Sequence, residues 1–235
     1  MAAVRDPQSF DHLAAHFDRF AELVGGELDA YLLFRLPAVG GRAVDLGCGT
    51  GVHTAVLAER YQEVLAVDLS EPMLEWARRH RARGNVRYEQ RDLLDVTAER
   101  DGAFDLIFTA YTLHHVPDLA AALQQMRQML RPGGQVVVVD VVDDRRRVPR
   151  NWLRQQAVRT FAEDVRTRRR GPLEALELLR LQLAPAWLDH VTTDQLLPAA
   201  EWEAIGRSVF PDAVFTPFYR ARALHWTNPT PFDAS

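Results

Sequence analysis

Lysine is absent from this chain of 235 residues, and all 28 basic residues are arginine. The absence excludes a phosphate-cradling GxxxxGK[ST] loop, whose lysine reaches the phosphates. It otherwise reflects a G+C-rich coding sequence more simply than an avoidance of lysine chemistry. Cysteine occurs once, at Cys48, which excludes an internal disulfide. No apolar run approaches the ~18 residues of a membrane-spanning helix. Arg5, Asp6 and Pro7 lead into a polar, charged stretch instead of a secretory leader, so a soluble, cytoplasmic protein is expected. Excess positive charge is missing too: the formal net charge is -4, which gives nucleic acid no pull. No nucleic-acid or membrane partner is expected, and a monomer or homodimer is.

What is present is ordinary in composition, with 47% hydrophobic and 26% charged residues, enough for one domain with a substantial core. The informative stretch is residues 43–54, AVDLGCGTGVHT. Val44 and Leu46 suit a buried strand, Asp45 sets a carboxylate near its end, and Gly47, Gly49 and Gly51 let a backbone approach a ligand closely. The spacing GxGxG differs from the dinucleotide fingerprint GxGxxG, whose third glycine packs helix on strand. An aspartate just before the turn would repel a pyrophosphate and favour a ligand with a cationic ammonium. S-adenosylmethionine is such a ligand.

From Val44 to Gly51 the chain resembles the first motif of the class I S-adenosylmethionine-dependent methyltransferases, (V/L)(D/E)xGxGxG, and the resemblance continues. Residues 64–70, VLAVDLS, are similar to the second strand and its acid, and Ser70 to Leu74 to the helix start after it. Residues 85–93, NVRYEQRDL, match the third strand and its exit. Phe104 to Phe108 with Leu113 to Val116 is similar to the fourth strand and its loop, and residues 130–134, LRPGG, to the turn before the fifth. The resemblance implies a Rossmann-like α/β fold, a seven-stranded sheet that is mostly parallel with its last strand antiparallel. It further implies that Asp45 holds the methionine ammonium, directly or through water, with Gly47, Cys48, Gly49 and Gly51 at the rest of the amino-acid portion. Asp68 would take the ribose and Asp92 the adenine amino group, while Leu69, Met73 and Leu93 sandwich the base; Thr109 and Ala110 complete the cofactor set.

Around this core, residues 1–40 form an N-terminal helical segment, in which Phe10, Leu13, Phe17, Phe20 and Leu23 recur at helix spacing over 8–34 until Gly25-Gly26 interrupts them. A core-facing side is the ordinary reading of such a pattern. In the family the segment often closes over the cofactor, which makes Phe17 and His16 candidates for the substrate pocket. Residues 41–143 alternate strands and helices and form the cofactor-binding core, where ligands belong at the carboxyl ends of the strands. Residues 144–200 read as a helical substrate lid, with helices over 152–165 and 172–183. Leu173, Leu176, Leu179 and Leu183 make an apolar stripe there that Trp152 and Trp187 are able to join, Trp152 being the candidate for the substrate. The arginines at 145–147 and 166–170 are interleaved with acids and read as a salt-bridged surface. Residues 201–228 supply a closing helix and the antiparallel strands.

Methyl transfer from a sulfonium is an in-line displacement with an activated donor, so the protein must chiefly hold the nucleophile on axis. A hydroxyl or ammonium acceptor must also lose a proton. His115 and Tyr111 are the candidate catalytic residues, with His114, His12, His16 and His190 as further possible bases. A carboxylate acceptor would need no base. The (D/N)PP(Y/F) motif of amino-methyltransferases is missing, since residues 109–112 read TAYT. Asp140, Asp143 and Asp144 do not make the carboxylate triad of metal-dependent catechol enzymes, so no metal is expected. The expected function is methyl transfer to O or N of a small-molecule acceptor, as in natural-product biosynthesis. Alternatives are a carbon acceptor such as a quinone ring, the terminus of a modified peptide, or a protein that binds S-adenosylmethionine for non-methylating catalysis or regulation.

Overall fold

A computed structural model describes residues 13–37, 39–218 and 220–229. Helix α1 (Ala14–Val24) turns directly into α2 (Gly26–Arg35) at Gly25, where a Cβ would come within 2.6 Å of the Ala21 carbonyl oxygen. Phe10 and His12 lie outside the described residues. Then follow β1 (Gly40–Leu46), α3 (Val52–Ala58), β2 (Tyr61–Asp68), α4 (Glu71–His80), β3 (Val86–Gln90), a short 3-10 turn (Leu93–Asp95), α5 (Ala98–Asp101) and β4 (Phe104–Ala110). A second 3-10 turn (Leu113–His115) leads to α6 (Leu119–Gln128) and β5 (Leu130–Val141). The chain closes with α7 (Arg150–Thr167), α8 (Pro172–Leu183), α9 (Pro185–Thr193), α10 (Ala199–Val209), β6 (Val214–Phe218) and β7 (Ala221–Thr227).

The seven strands form one sheet in the order β3-β2-β1-β4-β5-β7-β6. Strands β1 to β5 pair in parallel, and β7 is antiparallel to both β5 and β6. The expected mixed sheet with its antiparallel last strand is therefore the sheet observed. Alternation of side chains along each strand divides the core into two layers. Val44, Leu46, Ile107, Val136 and Val138 face one layer with Leu123, Met126 and Trp202. Ala43, Leu106, Phe108, Val137 and Val139 face the other with Leu28, Leu32 and Leu57. Burial on both faces explains why these central strands read as continuous apolar runs.

Local signals set the element ends. Ser70 caps α4 by accepting the Met73 N–H, with Glu71 in the first turn and Arg78, Arg79 and His80 in the last, complementing the helix dipole. The expected turn at residues 130–134 is instead a bulge within β5. Phe104 pairs with Leu130 and Leu106 with Gln135, so the residues between loop out of register, and Gly133 takes a positive φ of 77°.

In the stretch between β5 and β6 the expected stripe is corrected. Leu173 is 80% exposed, and α8 buries Ala175 and Leu178 instead, because its inward face is set by α7 and α1. Helix α9, starting at Pro185 after Ala184, is an element that the sequence pattern did not announce. The arginine runs are ion-paired as expected at Arg145–Asp143 and Arg166–Glu163. Arg170 departs from the surface picture: its Nη1 reaches both carboxylate oxygens of Asp164, at 2.7 and 2.8 Å, and the Asp164 side chain is only 2% exposed. No described helix is long and apolar enough to cross a membrane.

Candidate active site at the strand ends

A cavity of about 340 Å³ opens at the carboxyl ends of β1, β4 and β5. Its floor is Asp45, Gly47, Cys48 and Thr50 from the glycine loop; Phe17, Phe20 and Glu27 come from α1 and α2, and Leu153, Ala157, Leu178 and Trp187 from α7 to α9. Ala110, Tyr111, His114 and His115 form the wall that follows β4, and His190 and Asp194 face them from α9 and its exit. Residues far apart in the chain meet here because parallel strands end on one edge of the sheet.

Gly47, Gly49 and Gly51 all have positive φ, at 76°, 52° and 80°. This backbone turns the loop so that the amides of Gly47 and Cys48 bond the Val67 carbonyl at 2.8 and 3.0 Å. A Cβ on Gly49 would stand 3.3 Å from the Phe17 ring, so α1 lies directly over the loop. At Gly51 the close neighbours are the protein's own. Tyr88 Oη and Ala77 Cβ fill the space that its Cβ would need, at 2.8 and 3.3 Å, so that glycine serves packing.

Asp45 is 2% exposed and accepts the Thr54 hydroxyl at 2.5 Å. Burial first, and the charge of Asp68 to a lesser degree, raise its pKa to about 6, against the lowering pull of Thr54 and His53. A buried carboxylate in that state is suited to an incoming cation. Thr50, 1% exposed beside it on the cavity floor, has a hydroxyl with no hydrogen-bond partner among the described residues. Burial pushes the Cys48 thiol well up, which leaves it protonated.

Of the remaining cofactor candidates, only Ala110 lines this cavity. Asp68 receives the Gly49 N–H at 2.7 Å and the Ser70 N–H at 2.9 Å, tying the loop to the start of α4. Leu69 is 46% exposed next to it, while Met73 is buried beneath at 2%. Asp92 accepts the Leu94 N–H at 2.9 Å, and Leu93 begins the short turn that follows. Thr109 is fully buried within β4 and away from the cavity wall, leaving Ala110 as the member of that pair on the wall.

Tyr111 adopts a positive φ of 57° just after β4, unusual for a residue with a side chain. Its ring lines the cavity, and burial first, then Asp140 and Glu27, push its pKa up to about 12. At neutral pH it offers a hydroxyl and no phenolate. Next, His114 Nδ1 lies 2.6 Å from Asp140 Oδ1, and its ring centre is 4.0 Å from that of His115, the planes tilted by 43°. His190 lies a further 5.8 Å from His115.

Of the substrate candidates, Phe17 lines the cavity, whereas His16 and Trp152 do not. His16 stacks on Trp187 with ring centres 5.4 Å apart, and burial lowers its pKa. Trp152 is held between Arg145 and Arg220, at 4.5 and 4.4 Å from its ring centre. The sequence reading missed Thr50 and His53, the latter bonded to Asp29 at 2.9 Å, and it missed Asp194. Thr50 and His53 stood inside the glycine motif, and a count of its hydroxyl and imidazole groups would have found them. Asp194 carries no local signal.

Residues 44–138 match the model of the methyltransferase domain family. The chain is 30% identical over 156 residues to a ubiquinone biosynthesis O-methyltransferase of Xylella fastidiosa, covering 59% of this chain and 63% of that protein. It is 38% identical over 130 residues to the O-methyltransferase cnsE of Penicillium expansum, covering 53% of this chain and 47% of that protein. The chain thus spans between about half and two thirds of the length of these curated relatives. Among solved structures, the DhpI–SAH complex superposes with a TM-score of 0.63 over 96% of this chain and 95% of that one, at 22% identity, a likeness of fold. Five ordered βα motifs, the strand order with β7 inserted between β5 and β6, and the family match converge on residues 44–138 as a class I S-adenosylmethionine-dependent methyltransferase domain.

Proposed function

We propose that this protein transfers a methyl group from S-adenosylmethionine to an oxygen or nitrogen of a small, largely apolar acceptor. The observation that carries the reading is a cavity whose floor is the glycine loop and whose far wall is His114, His115 and Tyr111. The residues fit the cofactor: Asp45 is a buried acid without full charge compensation, Thr50 on the same floor has a hydroxyl without a partner among the described residues, and Gly49 adds no side chain of its own to the space under Phe17. Bound there, S-adenosylmethionine supplies a methyl group already activated by its sulfonium, so the transfer calls for no metal.

The protein's own task is orientation. Asp45 holds an ammonium, Asp68 a ribose and Asp92 an adenine, with Leu69 and Leu93 on the base and Met73 supporting them from below. Phe17, Phe20 and Trp187 exclude water and hold an apolar acceptor. His115 removes the acceptor proton, and Tyr111 donates a hydrogen bond to the acceptor oxygen. The names of the curated relatives, both O-methyltransferases, support oxygen as the acceptor atom. The helical segment 144–200 acts as the lid and, with residues 1–40, confers acceptor choice, which fits a role in natural-product chemistry in the cytoplasm.

Calorimetric titration with S-adenosylmethionine and S-adenosylhomocysteine tests the cofactor half. Binding of both is expected. A folded sample that binds neither overturns the reading. Release of S-adenosylhomocysteine on addition of phenolic or amine acceptors then separates methyl transfer from non-methylating use of the cofactor.

A further inference from the structure

We propose that His114, His115 and Asp194 form a binding site for a divalent first-row transition cation. One ligating atom from each of the three lies within 4.8 Å of the other two. The histidines come from the turn after β4 and the aspartate from the exit of α9, so only the fold brings them together.

The proton on His114 is assigned by its surroundings. Asp140 Oδ1 accepts the Val141 N–H at 2.9 Å and lies 2.6 Å from His114 Nδ1, so the oxygen is an acceptor and Nδ1 carries the hydrogen. That leaves Nε2 as the ligating atom, and it faces Asp194 Oδ2 at 3.9 Å. Two metal–ligand bonds of about 2.0–2.2 Å span such a gap with little movement. A buried carboxylate behind a ligating imidazole is the outer support that metal-binding histidines use. Asp140 is 1% exposed and fills that position.

Two imidazoles and one carboxylate suit Zn²⁺ or Ni²⁺ and disfavour Mg²⁺, which prefers oxygen. All three ligands line the cavity, so a cation here keeps its open positions toward the acceptor space and ties the α9 exit to the sheet. The site stands apart from the cofactor reading, because its ligands include none of the glycine-loop residues; His115 serves as proton acceptor in the cation-free protein and as a ligand in the loaded one.

The test is calorimetric titration of ZnCl₂, NiCl₂ and MgCl₂ into untagged, chelator-stripped protein without any cofactor. One Zn²⁺ or Ni²⁺ per chain is expected to bind, with Mg²⁺ giving no heat. Asp194→Asn and His115→Ala are expected to weaken binding at least tenfold, and Asp140→Asn by about 10- to 100-fold, a loss that only support of a ligand explains. His80→Ala, on the exposed end of α4, leaves binding unchanged. Circular dichroism verifies folding, and His115→Gln replaces His115→Ala should that variant not fold. No Zn²⁺ or Ni²⁺ binding by the folded protein, or binding that survives all three substitutions, overturns the proposal.

Discussion

The glycine-loop wall of the cavity and the wall supplied by α7 to α9 are built on different terms. The first hangs on backbone ladders: β1 is bracketed by β2 and β4, so Asp45 and the loop after it are placed by main-chain bonds on both sides. The second is held to the rest by side chains. Arg19 reaches Glu177 at 2.8 and 2.9 Å, Arg169 pairs with Glu27, and Arg170 bonds the Leu23 carbonyl at 2.9 Å as well as Asp164. A wall fixed by ladders keeps its geometry through most surface substitutions. One fixed by ion pairs is adjustable residue by residue, which suits the part of a cavity that must match a particular acceptor.

The sharpest way to break this contrast is Arg170→Ala. It leaves Asp164 buried and unpaired, and the expected loss is about 3–5 kcal/mol of stability by denaturant unfolding. The double replacement Arg170→Met with Asp164→Leu should recover most of it; failure to recover would mean that the pair specifies packing as well as charge. On the ladder side, Gly49→Val forces a branched side chain into positive φ and against Phe17. S-adenosylhomocysteine binding should weaken at least about 100-fold, equal to about 2.7 kcal/mol, with the melting curve little changed. Asp68→Ala should act likewise, and unchanged affinity in both would refute the cofactor assignment.

A smaller effect concerns pH. With Asp45 at about 6 in the ligand-free protein, a ligand ammonium meets a carboxylate above that pH and a neutral acid below it. Affinity for S-adenosylhomocysteine should therefore be flat above neutrality and about tenfold weaker at pH 5 than at pH 7. Asp45→Asn should bind weakly with that dependence gone. Smallest of all, Arg166→Ala removes an exposed pair with Glu163 and should leave the unfolding midpoint where it was.

The same contrast explains what was legible in the sequence. Strand positions in the core announce themselves because burial on both faces demands apolar runs, and loop glycines because positive φ demands them. The positions of Asp45, Gly49 and Asp68 at strand ends and in the loop followed from those two facts, while the cofactor roles proposed for them rest on the family resemblance. His16 and Trp152 lie off the cavity wall because the family resemblance gives a segment but not the partner of each side chain: α1 turns Phe17 to the cavity and His16 against Trp187, and Trp152 sits between Arg145 and Arg220. Asp194 was illegible because nothing in its neighbourhood marks it; it becomes meaningful only where the α9 exit meets the turn after β4.

The insert between β5 and α10 leaves and re-enters the sheet at a single place. Val142 bridges Leu197 in parallel, Asp143 N–H bonds the Leu197 carbonyl at 3.0 Å, and Leu196 N–H bonds the Arg146 carbonyl at 2.8 Å. A segment whose two ends are stapled together at its root behaves as a cassette: it can be lengthened, shortened or exchanged for another without moving a strand. New acceptor preferences are then reachable by trading this one piece, while the machinery beneath stays as it is.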